Sequence, residues 1–323
     1  MKAAVIYNKG EMPQYADVSE PVAQNEEELL INMKAVAIKH FDKARASQKH
    51  YSAGADYPKA NVIGGDGVGL LADGTLVFGL GVSGTMAQKA TIRRSSMVTV
   101  PAGLNSAVAA ALPNAVAGSA MALLFRAALQ PGETVLINGA TGFTGKIAVQ
   151  VARFYGAKKI IVTGRNPQSL QSLLKLGADE IISLRQDDQE FLAQIKAAHL
   201  NTPIDIVIDY LWGHSAELIL ASFKGDGSFS RRTRFVAVGA VTGDTIQLSA
   251  ENLRSVNLQL SGSGIGSWTK NEMHQLFHKI IPDMFLRAAA GKLKVDIIPV
   301  KLAEVEQLWT IEQLDGKRCV VII

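Results

Sequence analysis

Cysteine is nearly absent from this chain of 323 residues: Cys319 stands alone. That excludes an intramolecular disulfide framework and suits a reducing compartment. Cys319 precedes the apolar run Val320–Ile323, so it reads as a buried strand residue rather than a reactive thiol. No low-complexity tract or internal repeat is visible, which argues against a solenoid or propeller. The start, Met-Lys-Ala-Ala-Val-Ile-Tyr, runs on into polar sequence, so no secretory signal is expected and the chain is read as cytoplasmic. Charge is missing from residues 95–125, but Pro101, Pro113, Asn114 and Gly118 interrupt that stretch. It reads as a buried helix between domains, not a membrane span. A net charge of +4 is weak ground for a nucleic-acid partner, and Arg231, Arg232 and Arg234 read as a solvated loop ahead of a strand.

What is present is enough apolar sequence for sizeable cores: 48% of residues are hydrophobic, and the length suits roughly two domains of about 150 residues. Residues 1–100 are rich in short β runs, such as Ala3–Tyr7, Glu28–Val36 and Met86–Ile92, with frequent turn glycines. They predict an irregular β-barrel. From 134 to about 262, candidate strands at Thr134–Asn138, Lys159–Thr163, Glu180–Ser183, Ile204–Ile208, Phe235–Gly239 and Leu258–Ser261 alternate with amphipathic stretches. That predicts an α/β fold with a doubly wound parallel sheet. A helix near 270–290, a run at Lys294–Pro299 and a closing strand at Cys319–Ile323 are expected to rejoin the first domain.

The most informative stretch is Thr134–Gly145, where an apolar run ends in Gly139, Gly142 and Gly145 and a helical pattern follows. Glycines there let backbone N–H groups approach a pyrophosphate, with the positive end of the helix dipole facing it. Gly139, Ala140, Thr141, Gly142, Phe143, Thr144 and Gly145 are therefore candidate dinucleotide contacts. The next strand ends Thr163-Gly164-Arg165-Asn166. A carboxylate there would bond the ribose 2′-hydroxyl of NADH, whereas a guanidinium suits a 2′-phosphate. Arg165 thus predicts NADPH. The glycine turn also suits a short-chain dehydrogenase, and Tyr155 and Lys159 have the spacing of its catalytic pair. They fall ten residues past the turn, in the first helix and its exit, so chance explains them better.

Taken in order, Gly64-Gly65-Asp66-Gly67-Val68-Gly69, Leu112-Pro113, Leu129–Leu136, the glycine turn, Leu176–Asp179, Asp205–Asp209 and Phe235–Gly239 resemble the medium-chain dehydrogenase/reductase superfamily. The closer match is its zinc-independent, quinone oxidoreductase-like branch. The resemblance runs nearly end to end. It implies a GroES-like β-barrel catalytic domain built from residues 1–118 and 263–323, a Rossmann domain over 119–262, and a homodimer joined through the Rossmann sheets. It also implies contacts from Val238 and Gly239, and from Ser261 and Gly262 near the nicotinamide, although the last pair reads equally as an interdomain turn.

The zinc enzymes of this superfamily use several cysteines, and here Lys39 stands where their first cysteine falls. His274 and His278 share a helical spacing, but with Gln275 between them they read as an exposed face. No metal is expected. Without a Lewis acid the favoured chemistry is hydride addition to a quinone or an α,β-unsaturated carbonyl, with donors stabilising charge on oxygen. By resemblance, Asp42 matches the family's aspartate, Tyr51 its loop tyrosine, and Lys39 replaces an asparagine. Tyr51, Lys39 and Asp42 are thus the candidate catalytic residues. The partner expected is a small molecule. Reduction of another small carbonyl compound stays open, as does a cofactor-binding role with little turnover, crystallin-like or nucleic-acid-binding.

Overall fold

In this computed structural model, residues 1–8, 10–47, 61–311 and 315–323 are described. Two units emerge: Met1–Pro113 with Phe277–Ile323, and Asn114–Leu276.

The first unit is built on β strands whose alternate residues face inward. β1 (Lys2–Ile6), β2 (Gln14–Asp17) and β4 (Asn61–Val62) form a small antiparallel sheet in the order β2-β1-β4. The larger sheet centres on β3 (Glu28–Ala37), whose pattern Ile31, Met33, Ala35 buried and Leu30, Asn32, Lys34 exposed gives one apolar face. β3 pairs along its length with β7 (Lys89–Arg93), β5 (Asp66–Leu70) and β16 (Arg318–Ile322). β6 (Leu76–Leu80), β8 (Val98–Thr99) and β15 (Ile297–Lys301) complete it. Gly67 and Gly69 of β5 lie so close to β3 that an added Cβ would fall 2.5 Å from Met33 Cε and 2.6 Å from the Asn32 carbonyl oxygen. The closing strand β16 pairs with β3 and buries Cys319 and Val321 in the same core as Ile31 and Met33. The helix α1 (His40–Ala46) follows β3 directly.

The uncharged stretch becomes α2 (Ser106–Met121), continued by a wider turn at Ala122–Arg126. By length and composition this one helix, among the described residues, could cross a membrane, yet 67% of its apolar window is buried in the protein.

The second unit is a six-stranded parallel sheet of β9 (Thr134–Asn138), β10 (Lys159–Gly164), β11 (Glu180–Ser183), β12 (Ile206–Asp209), β13 (Thr233–Ala237) and β14 (Leu258–Gly262). Its order is β11-β10-β9-β12-β13-β14, which places the switch in strand direction of growth between β9 and β12. The helices α3 (Phe143–Phe154), α4 (Pro167–Leu174), α5 (Asp188–Asn201), α6 (Gly213–Ser222), α7 (Ala250–Arg254) and α8 (Lys270–Gln275) connect and cover it. Arg234 departs from the solvated loop expected of it. It lies inside β13, buried, with its guanidinium on Glu133 and donating to the Ala127 carbonyl at 2.7 Å. The helix expected over 270–290 is interrupted: α8 widens at Leu276–Ile280 before α9 (Ile281–Ala289). Pro282 explains this, since it has no N–H to donate and its ring crowds the carbonyl four residues back. A short α10 (Val305–Trp309) precedes the last strand.

Candidate active site

At the C-terminal end of β9 the three glycines answer to different constraints. Gly139 has φ +82°, in the left-handed region, and an added Cβ would meet Leu211 Cγ at 2.7 Å. Gly145, in the first turn of α3, would place a Cβ 2.5 Å from Ala140 Cα, so glycine lets helix and strand pack. Gly142 differs from both. It caps α3 with φ −73° and ψ 166°, which any residue adopts, and a Cβ there meets nothing within 4 Å. The chain's own fold does not require glycine at 142. The first N–H groups of α3 lie beside it, since the helical bonding begins with Lys146 N–H on the Gly142 carbonyl at 3.0 Å. Ala140 and Phe143 are buried, and Thr141 and Thr144 half-buried, around this turn.

The remaining sequence-predicted cofactor residues gather at neighbouring strand ends. Thr163 is fully buried; its hydroxyl donates to Asn138 Oδ1 at 2.6 Å and accepts the Gly139 N–H at 3.1 Å. Gly164 packs on Thr141, whose Cγ2 would lie 2.3 Å from an added Cβ. Arg165 is exposed, and Asn166 caps α4 by accepting the Ser169 N–H at 2.9 Å. Val238 and Gly239 turn their N–H groups onto the Asp209 carbonyl at 2.8 and 3.2 Å. Ser261 and Gly262 end β14, in register with Val236 and Ala237. Sequence reasoning passed over Arg185. Gly164 and Ser183 are register partners in adjacent parallel strands, so Arg165 and Arg185 follow neighbouring strand ends, and both are exposed. Only the strand order reveals that pairing. Asn138 was also passed over; a polar residue closing the apolar run Val135-Leu136-Ile137 was the available signal.

In the first unit, the turn from β3 into α1 carries a buried charge cluster. Lys39 Nζ lies 2.6 Å from Asp66 Oδ1 and 3.3 Å from Asp42 Oδ2, and its side chain is 2% exposed. Asp42 also accepts the Lys39 backbone N–H at 3.0 Å. Arg318 opens β16 nearby, donating to the Ile38 carbonyl at 3.2 Å. Burial disfavours the Lys39 ammonium, but Asp42 and Asp66 outweigh it and hold its pKa above the ordinary value. Burial pushes the Asp42 carboxyl up, against the pull of Lys39. Burial also brings the Arg318 guanidinium down to about 10. His40, at the head of α1, is held below its usual value by desolvation and by the Arg318 and Lys43 charges. The structure thus brings Lys39 and Asp42 together and adds Asp66, which sequence reasoning had used only as part of a glycine motif. Tyr51 lies outside the described residues.

Among the described residues no group of three or more His, Cys, Asp or Glu side chains is placed to hold a metal. The two carboxylates that converge in the first unit already share an ammonium.

Comparison with known proteins follows the same lines. The family model described as zinc-binding dehydrogenase matches residues 144–281. A probable NADPH-dependent quinone reductase, tdiC, of Emericella nidulans is 27% identical over 350 aligned positions, spanning 96% of each chain. The quinone oxidoreductase of Sus scrofa is 27% identical over 271 positions, 81% of this chain and 78% of its own. Among solved structures, the quinone oxidoreductase of Thermus thermophilus, determined alone and in complex with NADPH, superposes over 100% of both chains with a TM-score of 0.77 and 25% identity.

Proposed function

We propose that the chain, which is similar to quinone oxidoreductases of the medium-chain dehydrogenase/reductase superfamily, is a zinc-independent, NADPH-dependent reductase of quinones or α,β-unsaturated carbonyl compounds. The observation that carries the reading is Gly142. A glycine with an ordinary φ and open space around its missing Cβ is best accounted for by something that approaches from outside the chain. A pyrophosphate at the N-terminus of α3 fits, because the helix dipole and the backbone N–H groups of a first helical turn favour an anion there.

The residues for the rest of the cofactor follow from charge. Arg165 and Arg185 supply two guanidinium groups at adjacent strand ends, suited to a dianionic 2′-phosphate. Arg165→Ala and Arg185→Ala are each expected to weaken NADPH binding roughly tenfold, the worth of a charge-assisted hydrogen bond, while NADH binding stays unchanged. Nicotinamide fluorescence titration with both nucleotides checks this; equal loss for NADPH and NADH would remove the arginines from the 2′-phosphate.

When bound, NADPH supplies a hydride equivalent to an electron-poor carbon of the acceptor. The chain's task is to hold the two partners, exclude water and deliver a proton. Among the described residues the donor set does not suit zinc: the one cysteine is buried in β16, and Lys39 occupies Asp42 and Asp66. With its ammonium enclosed, Lys39 is assigned to fixing the charge and shape of the β3–α1 turn, Asp42 shares that role, and Tyr51 is the proposed proton donor.

The test is anaerobic NADPH oxidation against a panel of quinones and enones, with and without a metal chelator. Turnover of at least one acceptor class, unchanged by chelation, is the expected result. Tight NADPH binding with no acceptor reduced would mark a cofactor-binding protein instead. Turnover abolished by chelator would overturn the zinc-free assignment.

A further inference from the structure

Asp209, at the end of β12, has no exposed surface, yet the groups that reach its carboxylate are donors. Asn138 Nδ2 reaches Oδ1 at 2.8 Å, the Leu211 N–H reaches Oδ1 at 2.9 Å, and the Trp212 N–H reaches Oδ2 at 3.1 Å. A carboxylate, which is acceptor-only, suits such a ring of donors. Burial pushes its pKa upward, and the Leu211, Trp212 and Asn138 donors pull against that.

The bonds continue away from Asp209. Asn138 spends its second amide hydrogen on Ser215 Oγ at 3.0 Å, which fixes the orientation of its amide. Its Oδ1 then accepts the Thr163 hydroxyl at 2.6 Å, and Thr163 Oγ1 accepts the Gly139 N–H at 3.1 Å. A single file of donors therefore runs from the first glycine of the turn to the buried carboxylate. On its other side the carboxylate holds Trp212 at φ 58° and ψ −156°, a region nearly reserved for glycine. The indole is packed edge-on to Phe235, with centroids 6.1 Å apart. Between these anchors the Leu211 side chain is held against Gly139, where no Cβ would fit.

We infer that Asp209 is a positioning residue for the dinucleotide: through Asn138 and Thr163 on one side and Leu211 and Trp212 on the other, it fixes the glycine turn that receives the pyrophosphate. This rests on the cofactor reading above. Asp209 acts through Gly139, because its carboxylate is enclosed. The turn serves NADPH and NADH alike, so loosening it lowers both affinities and leaves their ratio intact. Changes at Arg165 or Arg185 move the ratio instead.

The experiment compares Asp209→Asn, Thr163→Val and Thr163→Ser in the full chain, with NADPH and NADH titrations and a thermal midpoint for each variant. Asp209→Asn and Thr163→Val are expected to weaken both nucleotides roughly tenfold, as loss of a buried charge-linked hydrogen bond implies. Thr163→Ser, which keeps the hydroxyl, should restore wild-type affinity. If Asp209→Asn does not fold, the Thr163 pair decides. Folded Thr163→Val with wild-type affinity for both nucleotides, or Thr163→Ser as weak as Thr163→Val, would overturn the inference. A wild-type chain that binds neither nucleotide overturns the cofactor reading itself, and the inference with it.

Discussion

Replacing Lys39 with methionine is expected to destabilise the unit formed by Met1–Pro113 and Phe277–Ile323 by about 3–5 kcal/mol, the usual consequence of removing one member of a buried ion pair. The charges of Lys39, Arg318, Asp42 and Asp66 balance. Without the ammonium, two enclosed carboxylates face one guanidinium, and among the described residues Asp42 is left with the Lys39 backbone N–H as its hydrogen-bond donor. Methionine fills the volume, so the loss is electrostatic and not a cavity. Adding Asp66→Asn to Lys39→Met should therefore recover part of the stability. Urea denaturation of the three proteins measures it; an unchanged midpoint in Lys39→Met would show that the cluster contributes nothing. The pH dependence has a definite sign. Because the Lys39 pKa is raised by folding, its contribution is complete below the ordinary value of 10.5 and disappears as pH rises through the raised value. The contribution of the ammonium should therefore stay flat through neutral pH and vanish only in strong alkali, while in Lys39→Met the Asp42 carboxyl, freed of the pull of Lys39, takes up a proton more readily and narrows the gap as pH falls.

Gly142→Val should bind NADPH about a hundredfold more weakly while keeping the wild-type thermal midpoint, if two hydrogen bonds to the pyrophosphate are lost at about 1.5 kcal/mol each. The fold tolerates the change because φ −73° and ψ 166° suit a β-branched residue and, its chain neighbours aside, nothing lies within 4 Å of the new Cβ. The same substitution logic gives the opposite result at its neighbours. A side chain at Gly145 meets the Ala140 backbone at 2.5 Å, and one at Gly139 must adopt φ +82° against Leu211. Those variants should lose stability first. A binding titration and a melting curve for Gly142→Val and Gly145→Ala separate the two cases. Wild-type affinity in Gly142→Val would mean that nothing approaches that glycine.

The glycine turn and the six strands of the parallel sheet were readable because each depends on local pattern. Strand ends were less so, for identifiable reasons. The strand expected from Ile204 begins at Ile206, the Ile204 N–H being taken by His199 Nδ1 at 3.1 Å. The strand expected to reach Gly239 stops at Ala237, because Val238 and Gly239 bend onto the Asp209 carbonyl. At the site, Arg165 was legible from its place after a strand, but Arg185 needed the knowledge that β10 and β11 are neighbours in register. Lys39 stood out in sequence as an unusual residue, and its burial did not, since Asp66 is 27 positions away along the chain. Asn138 and Thr163 are similarly separated by 25 positions, and their link to Asp209 exists only once three strand ends meet.

The most direct test of the central claim is a titration of the wild-type protein with NADPH and NADH side by side. Two guanidinium groups against a 2′-phosphate predict that NADPH binds at least about tenfold more tightly. Equal affinity, tighter NADH binding, or no binding of either nucleotide would contradict it.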